Sequence, residues 1–170
     1  MKIRFSHPTK TGGSSVQKIV KEKYEYVTHN HKPLCTYAQV VSQEIEFSFA
    51  TIRNPYERVI SMYNYFSIIH KDYSLNEFIN NLVSPSLNRL WLLPQHYYVE
   101  NATYKVDDII RFESYEDDWK RIIQQTLGIK KEPIHVNQTK TKLITNLKGQ
   151  QKEKVYEFYK KDFDLLGYDK

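Results

Sequence analysis

Hydrophobic and polar positions follow two different periods along the chain, and these periods predict strands and helices in turn. Short runs of apolar, β-branched and aromatic residues predict strands at 2–6, 24–28 and 45–52. Apolar residues at helical spacing predict helices at 14–23, 36–43 and 55–69. Because strands alternate with helices, we expect an α/β fold with a mainly parallel sheet flanked by helices.

The second half of the chain is predicted to be mainly helical. Helical patterns cover 74–83, 86–93, 114–128 and 148–162. Between them, "HYYVENATYKVDDIIRF" (96–112) predicts two strands around a turn at Asn101. A chain of 170 residues suits one domain over 1–170, and a hydrophobic content of 40% is enough for a packed core.

The turn "TKTGGSS" (9–15) joins the first predicted strand to the first predicted helix. Its two glycines allow the backbone N–H groups to converge on an anion, and the following helix adds its positive end. The turn also carries Lys10 and the hydroxyls of Thr11, Ser14 and Ser15. It is therefore either a tight connection with an exposed lysine or a phosphate cradle. The lysine precedes the glycines, unlike in the Walker A pattern, which argues against an ordinary ATP or GTP hydrolase.

The segment "RNPYERVIS" (53–61) marks a second junction between a strand and a helix. Asn54 can cap the helix, Pro55 suits its first position, and Arg53 stands where the strand ends. Ser61 follows about 12 Å further along the helix. Arg53 and Ser61 could both contact an anion beside the helix, or they could cap a carbonyl and fill a helix contact.

Net charge and cysteine content limit the classes of partner. The formal charge of +5 and the pI near 9.1 favour an anionic ligand. A single cysteine, Cys35, excludes a disulfide framework. Without an apolar run long enough for a membrane span or a signal peptide, we expect a soluble cytoplasmic protein that does not bind membranes.

Taken together, the two junctions resemble the sulfotransferases, specifically sulfotransferase family 2, which includes carbohydrate O-sulfotransferases. That family has a Lys-Thr-Gly-Gly loop after its first strand, here 10–13, and an R-N-P-x-x-R-x-x-S signature, here Arg53 to Ser61. The resemblance continues, in order, through "LLPQH", "IIRFESYEDDW", "HVNQT" and "FYKKDFDLLGY".

The resemblance implies the sulfotransferase fold with a P-loop-like cradle and a cofactor, 3′-phosphoadenosine 5′-phosphosulfate (PAPS). In that family the cradle holds the 5′-phosphosulfate, which here implies Lys10, Thr11, Gly12, Gly13, Ser14 and Ser15. By the same resemblance Arg53 and Ser61 hold the 3′-phosphate, and Asn137 and Thr139 contact the cofactor from a later loop. The product is adenosine 3′,5′-bisphosphate, and no metal is expected.

The acceptor implied by the resemblance is a hydroxyl group, most naturally that of a carbohydrate, with no nucleic acid as partner. The sequence leaves the oligomeric state open. We expect the hydroxyl to attack sulfur in line and Lys10 to stabilise the leaving oxygen. Some family members use an H-x-H pair as general base, and "THNHK" offers His29 and His31, with His31 preferred. The pair could equally be surface histidines.

Other histidines and other functions stay open. His7 is interpreted as support for the loop, and His96 and His135 are further candidates for the base. A kinase-like phosphotransferase would need a metal-binding acidic residue at a strand end, for which Asp107 and Asp108 are the available pair. A basic nucleic-acid-binding protein would bind with an affinity that falls steeply as salt increases.

Overall fold

The central feature of the protein is a parallel sheet. A computed structural model describes residues 1–24, 26–28, 45–69, 73–82, 89–102, 104–134 and 143–170. Within these ranges the sheet has four strands: β1 (Ile3–Ser6), β2 (Tyr26–Thr28), β3 (Phe47–Ile52) and β4 (Asp108–Arg111). They lie in the order β2-β1-β3-β4, and every neighbouring pair is parallel. The predicted α/β class is therefore confirmed, and the strands predicted at 2–6, 24–28 and 45–52 each contain one of these strands.

Helices surround the sheet. They are α1 (Gly13–Val20), α2 (Pro55–Ile69), α3 (Leu75–Asn80), α4 (Arg89–Leu92), α5 (His96–Val99), α6 (Tyr115–Trp119), α7 (Gln150–Phe158) and α8 (Lys160–Leu166). A π-helical segment (Lys120–Thr126) continues α6 and ends before Gly128, whose φ of 60° is left-handed. The predicted stop at Gly128 is thus confirmed. The helix predicted at 36–43 lies outside the described residues.

One strand prediction is wrong. The first of the two runs predicted within 96–112 is the short helix α5, and only the second run forms a strand, β4. The side chain of Asp162 accepts hydrogen bonds from the backbone N–H groups of Gln95 and His96, at the start of α5. This cap comes from a distant part of the chain and overrides the local strand preference of the aromatic residues. Around Asn101, the turn closes with one isolated bridge between Glu100 and Lys105.

The predicted helix at 148–162 is also corrected, because the chain forms two helices there. The break falls at Tyr159, whose φ of −102° and ψ of 19° depart from helical values. Tyr159 is buried, and its hydroxyl donates to the carbonyl oxygen of Leu92 at 2.8 Å. Beyond this bend α8 packs on α5, with Leu166 against Ala50 and Ile52 of the sheet, while α7 packs on α2 and α3.

The two faces of the sheet bury different sets of residues. On one face Phe5, Phe49 and Ile110 pack with residues of α1 and α6. On the other face Ala50 and Ile52 pack with residues of α5 and α8. No helix within the described ranges combines the length and the apolar character needed to cross a membrane. With both faces covered, the strand ends are the positions from which the sheet can present functional groups.

Candidate functional site

The candidate site lies at the carboxyl ends of β1 and β3. These strands are neighbours, and the chain leaves β1 for β2 on one side of the sheet and later returns to β3 on the other side. In open α/β sheets, ligands bind in the crevice at such a switch point. The loop 7–12 follows β1, and Arg53 follows β3. The fold therefore brings the two predicted anion-binding segments to one edge.

The loop after β1 has an unusual backbone. Lys10 has φ of 67° and Gly12 has φ of 81°, both in the left-handed region. For a residue with a side chain, such as Lys10, this conformation costs on the order of 1–3 kcal/mol and persists only where neighbouring contacts impose it. On either side of Lys10, Arg58 Nε donates to the carbonyl oxygen of Thr9 at 3.0 Å and Thr11 Oγ1 donates to that of Pro8 at 2.8 Å.

Both glycines of the loop are required by close contacts. A Cβ atom on Gly13 would lie 2.3 Å from the Cβ atom of His7, which leaves no room for any side chain. A Cβ atom on Gly12 would lie 3.2 Å from the Phe112 ring, in addition to the strain of the left-handed backbone. His7 is buried and stacks on Phe5 at 5.2 Å, in agreement with its interpretation as support for the loop.

Helix α1 begins directly after this loop. The backbone N–H of Ser15 donates to the carbonyl oxygen of Gly12 at 3.2 Å, and Gly12, the N-cap, provides no side-chain cap for the N–H groups that precede it. They and the helix dipole make this end suitable for an anion. Ser14 is exposed there, and its hydroxyl makes no hydrogen bond with a described residue, whereas buried Ser15 bonds to Tyr115.

The hydroxyl of Thr11 serves the fold. Its hydrogen goes to the carbonyl oxygen of Pro8, so the Thr51 hydroxyl, 2.7 Å away, must donate to Thr11 Oγ1. This pair ties the loop to β3. Among the predicted hydroxyl donors of the cradle, the structure therefore leaves Ser14 accessible, while Thr11 and Ser15 are engaged inside the protein.

Arg53 forms the second half of the site. Its guanidinium carbon lies 4.1 Å from the centre of the Phe112 ring, and Nη2 lies 3.4 Å from Glu57 Oε2. Its Nε is buried and has no hydrogen-bond partner among the described residues. A buried donor without a partner is rare and suits a site that receives an acceptor from a ligand. Phe112 was not singled out from the sequence, where the only signal for it is its place at the end of the predicted strand run; its 40% exposure comes from the structure.

The two cations of the site influence each other. Burial lowers the pKa of Lys10 below its ordinary value, and the positive charge of Arg53 lowers it further. Burial also lowers the pKa of Arg53, while Glu57 and Glu113 oppose that change. Among the described residues no carboxylate forms an ion pair with Lys10. A bound anion would relieve both the repulsion and the loss of hydration.

Asn54, Arg58 and Ser61 follow on α2. The Asn54 side chain caps the helix, as predicted, by accepting from Tyr56 N at 2.9 Å. Arg58, to which the sequence assigned no role, is buried and donates to the carbonyl oxygens of Thr9, Trp91 and Leu93. It therefore joins α2 to the loop. Ser61 is half-buried, and its hydroxyl makes no hydrogen bond with a described residue.

The remaining predicted site residues, His29, His31, Asn137 and Thr139, lie outside the described residues, as does His135. His96 is described and buried. Its Nδ1 lies 2.8 Å from Asp162 Oδ1, and its Nε2 has no partner among the described residues. Because the carboxylate takes the hydrogen of Nδ1, Nε2 of the neutral ring is an acceptor.

The acidic pair considered for a kinase-like enzyme lies at the opposite edge of the sheet. Asp107 precedes β4 and Asp108 begins it, so both stand at the amino end of that strand. Asp107 accepts from the backbone N and the hydroxyl of Ser48, and Asp108 pairs with Arg121. In the part of the chain that the structure describes, no group of three or more His, Cys, Asp or Glu could hold a metal ion.

Comparison with known proteins agrees with this arrangement. A family model described as the sulfotransferase family matches residues 4–169. The chain therefore belongs to the sulfotransferase family, and the predicted resemblance is confirmed. No curated protein and no solved structure matches the chain. Membership of the family indicates sulfuryl transfer as the general reaction.

Proposed function

We propose that this protein transfers a sulfuryl group from PAPS to a hydroxyl group of a carbohydrate. The observation that carries the proposal is the pair of cations at the switch point. Lys10 and Arg53 are both partly buried, both have a pKa lowered by burial, and they repel each other. Such a pair is unfavourable by itself and becomes favourable when anionic groups bind.

The residues of the site fit the two anionic ends of this cofactor. The first-turn N–H groups of α1, the Ser14 hydroxyl and Lys10 would hold the 5′-phosphosulfate. The partnerless Nε of Arg53 and the Ser61 hydroxyl would hold the 3′-phosphate, with Asn137 and Thr139 as further contacts. When bound, PAPS supplies the sulfuryl group and a phosphate leaving group.

Lys10 would stabilise the oxygen from which the sulfuryl group departs. In this proposal its ammonium group lies where negative charge develops, so its interaction would strengthen in the transition state. Because burial lowers the pKa of Lys10, the protein alone stabilises its charge poorly. Developing negative charge supplies that stabilisation.

His31, with His29 as its neighbour, would accept the proton that the acceptor hydroxyl loses when its oxygen bonds to sulfur. A neutral imidazole suits this role near neutral pH because its ordinary pKa is about 6.5. A carbohydrate acceptor is supported by a pair of aromatic residues, of which Tyr65 contacts Lys10. Tyr65 is 38% exposed and its ring centre lies 5.3 Å from that of Trp91. Such side chains commonly line ligand sites.

Calorimetric titration tests the proposal. Adenosine 3′,5′-bisphosphate should bind much more tightly than adenosine 5′-monophosphate (AMP), because only the bisphosphate reaches Arg53. Losing a charge-assisted contact costs about 1.5–3 kcal/mol, so Arg53→Ala should remove most of the preference. Equal affinity for both nucleotides in the wild type would contradict the proposal. Tighter binding of ATP with Mg²⁺, or of an oligonucleotide, would instead favour a phosphotransferase or a nucleic-acid-binding protein.

A further inference from the structure

The carboxyl-terminal helix α8 is connected to Arg53 by a chain of hydrogen bonds. Asp162 of α8 is completely buried. Its Oδ2 accepts from the backbone N of Gln95 at 2.7 Å, and its Oδ1 accepts from the backbone N of His96 at 2.9 Å. His96 Nδ1 gives a third bond at 2.8 Å. A buried carboxylate needs such donors, so Asp162 fixes the segment that carries Gln95.

The side chain of Gln95 in turn bonds to the backbone of Arg53. The Gln95 side chain is completely buried. Its Oε1 accepts from the backbone N of Arg53 at 2.8 Å, and its Nε2 donates to the backbone carbonyl oxygen of Arg53 at 2.7 Å. One side-chain amide thus holds both polar backbone groups of one residue, as a neighbouring strand would. Arg53 has just left β3, so this clamp replaces the sheet where the sheet ends.

A second contact from the carboxyl-terminal segment reaches the next residue. Glu113 Oε1 accepts from the backbone N of Asn54 at 2.6 Å, and the hydroxyl of Tyr168 donates to Glu113 Oε2 at 3.0 Å. The backbone at Arg53 and Asn54 is therefore held through two separate routes. Both routes begin within 162–168, more than one hundred residues further along the chain.

We propose that Gln95 and Asp162 are positioning residues that set the affinity of Arg53 for an anionic group. The inference rests on the proposed function, in which that group is the 3′-phosphate of the nucleotide. Hydrogen bonds weaken steeply when their angle departs from linear, so a displaced guanidinium loses much of its interaction with a phosphate. Holding the backbone at its root removes one source of displacement.

The test measures the affinities of adenosine 3′,5′-bisphosphate and of AMP for the full chain by calorimetry. Gln95→Leu keeps the approximate volume and removes both hydrogen bonds to Arg53. We expect its affinity for the bisphosphate to fall by about tenfold, which corresponds to about 1.4 kcal/mol. Its affinity for AMP should stay within about twofold, because AMP does not need Arg53. A general defect in folding would lower the affinities for both nucleotides equally.

Two further variants make the result decisive. Gln124→Leu is the matched control, since Gln124 Nε2 also donates to a backbone carbonyl oxygen, that of Lys131, but far from Arg53. It should leave both affinities unchanged. Gln95→Glu keeps an acceptor for Arg53 N but places a carboxylate oxygen against the Arg53 carbonyl oxygen, where the two oxygens repel each other. It should therefore weaken bisphosphate binding, and it keeps the test available if Gln95→Leu fails to fold.

The outcomes separate this inference from the proposed function. If the wild type prefers the bisphosphate and both Gln95 variants keep the full preference, the positioning role is wrong while the proposed function stands. If the wild type shows no preference, the proposed second anion site is itself wrong, and the inference falls with it. A selective loss in the Gln95 variants, with Gln124→Leu unchanged, supports both.

Discussion

The ammonium group of Lys10 lies 4.8 Å from the centre of the Tyr65 ring. An aromatic face attracts a cation through its quadrupole and, unlike a carboxylate, does not neutralise the charge. Lys10 stands in the loop after β1 and Tyr65 on α2, so the contact joins this loop to α2. Tyr65 thus holds Lys10 in place while its full charge stays available to an anion.

Removing the Tyr65 ring should weaken nucleotide binding moderately. An exposed cation–π contact contributes about 0.5–1 kcal/mol, so Tyr65→Leu should lower the affinity for adenosine 3′,5′-bisphosphate by about two- to fivefold. Tyr65→Phe keeps the ring and is the matched control, with an affinity close to that of the wild type. The measurement is calorimetric titration, and equal losses in the two variants would assign the effect to the hydroxyl.

Neutralising Lys10 should stabilise the protein while removing its activity. Folding lowers the pKa of Lys10, so the charged form is disfavoured in the folded state, and Lys10→Met should raise the melting temperature at pH 7. This destabilisation is complete below the lowered pKa of Lys10 in the folded state, and it is lost as the pH rises from that pKa to the ordinary value of 10.5. The gain should therefore be largest near pH 7 and shrink as the pH approaches 10.5.

Calorimetric melting of the wild type and Lys10→Met across that pH range checks this prediction. Exposed Lys18 of α1 gives the control, Lys18→Met, which should show no comparable gain. If Lys10→Met melts below the wild type at pH 7, the prediction is wrong. The charge of Lys10 would then stabilise the folded protein despite its repulsion from Arg53. With an acceptor in hand, turnover of Lys10→Met should fall more than cofactor affinity.

Gly13 should not tolerate even alanine. The added Cβ atom would lie 2.3 Å from the Cβ atom of His7, so the loop or the first turn of α1 must move. We expect Gly13→Ala to lose nucleotide binding and to reduce the free energy of unfolding by about 1–3 kcal/mol, as overpacking does. Urea denaturation and calorimetric titration measure the two effects.

The control for this variant is Gly128→Ala. Gly128 also has a constrained backbone, with φ of 60°, but the nearest atom to its added Cβ would be the flexible Nζ of Lys23 at 3.4 Å. It should lose about 1–2 kcal/mol of stability through the left-handed backbone and keep its nucleotide affinity. Undiminished nucleotide binding by Gly13→Ala would show that the loop can rearrange without loss of the cradle.

The general base should be His31. Because general-base catalysis contributes about 10²–10⁴-fold, His31→Ala should lose turnover on that scale while adenosine 3′,5′-bisphosphate still binds. His29→Ala should lose less if it orients its neighbour or the acceptor. The measurement is the rate against pH for the wild type and both variants. If both variants keep the wild-type rate and its change with pH near neutrality, the base is elsewhere. His96, with its acceptor Nε2, is then the next residue to substitute.

Local signals were sufficient for several elements, two of which adjoin the second predicted anion-binding segment. The strand at 45–52, the cap at Asn54 and the stop at Gly128 all depend on residues within one or two turns of each other, and all three are confirmed. The resemblance to sulfotransferases is likewise confirmed by the family match. The roles assigned to individual site residues, including Ser61 and His31, stay predictions.

The sequence by itself determined the alternation of strands and helices, the glycine turn and the family, because each is encoded by neighbouring residues or by short ordered motifs. The tertiary structure alone decided that "HYYV" is a helix, that the chain bends at Tyr159, and that Thr11 points its hydroxyl into the fold. It also decided that Gln95 and Asp162 hold Arg53. The physical reason is that buried polar groups must find partners, and here those partners lie far away along the chain.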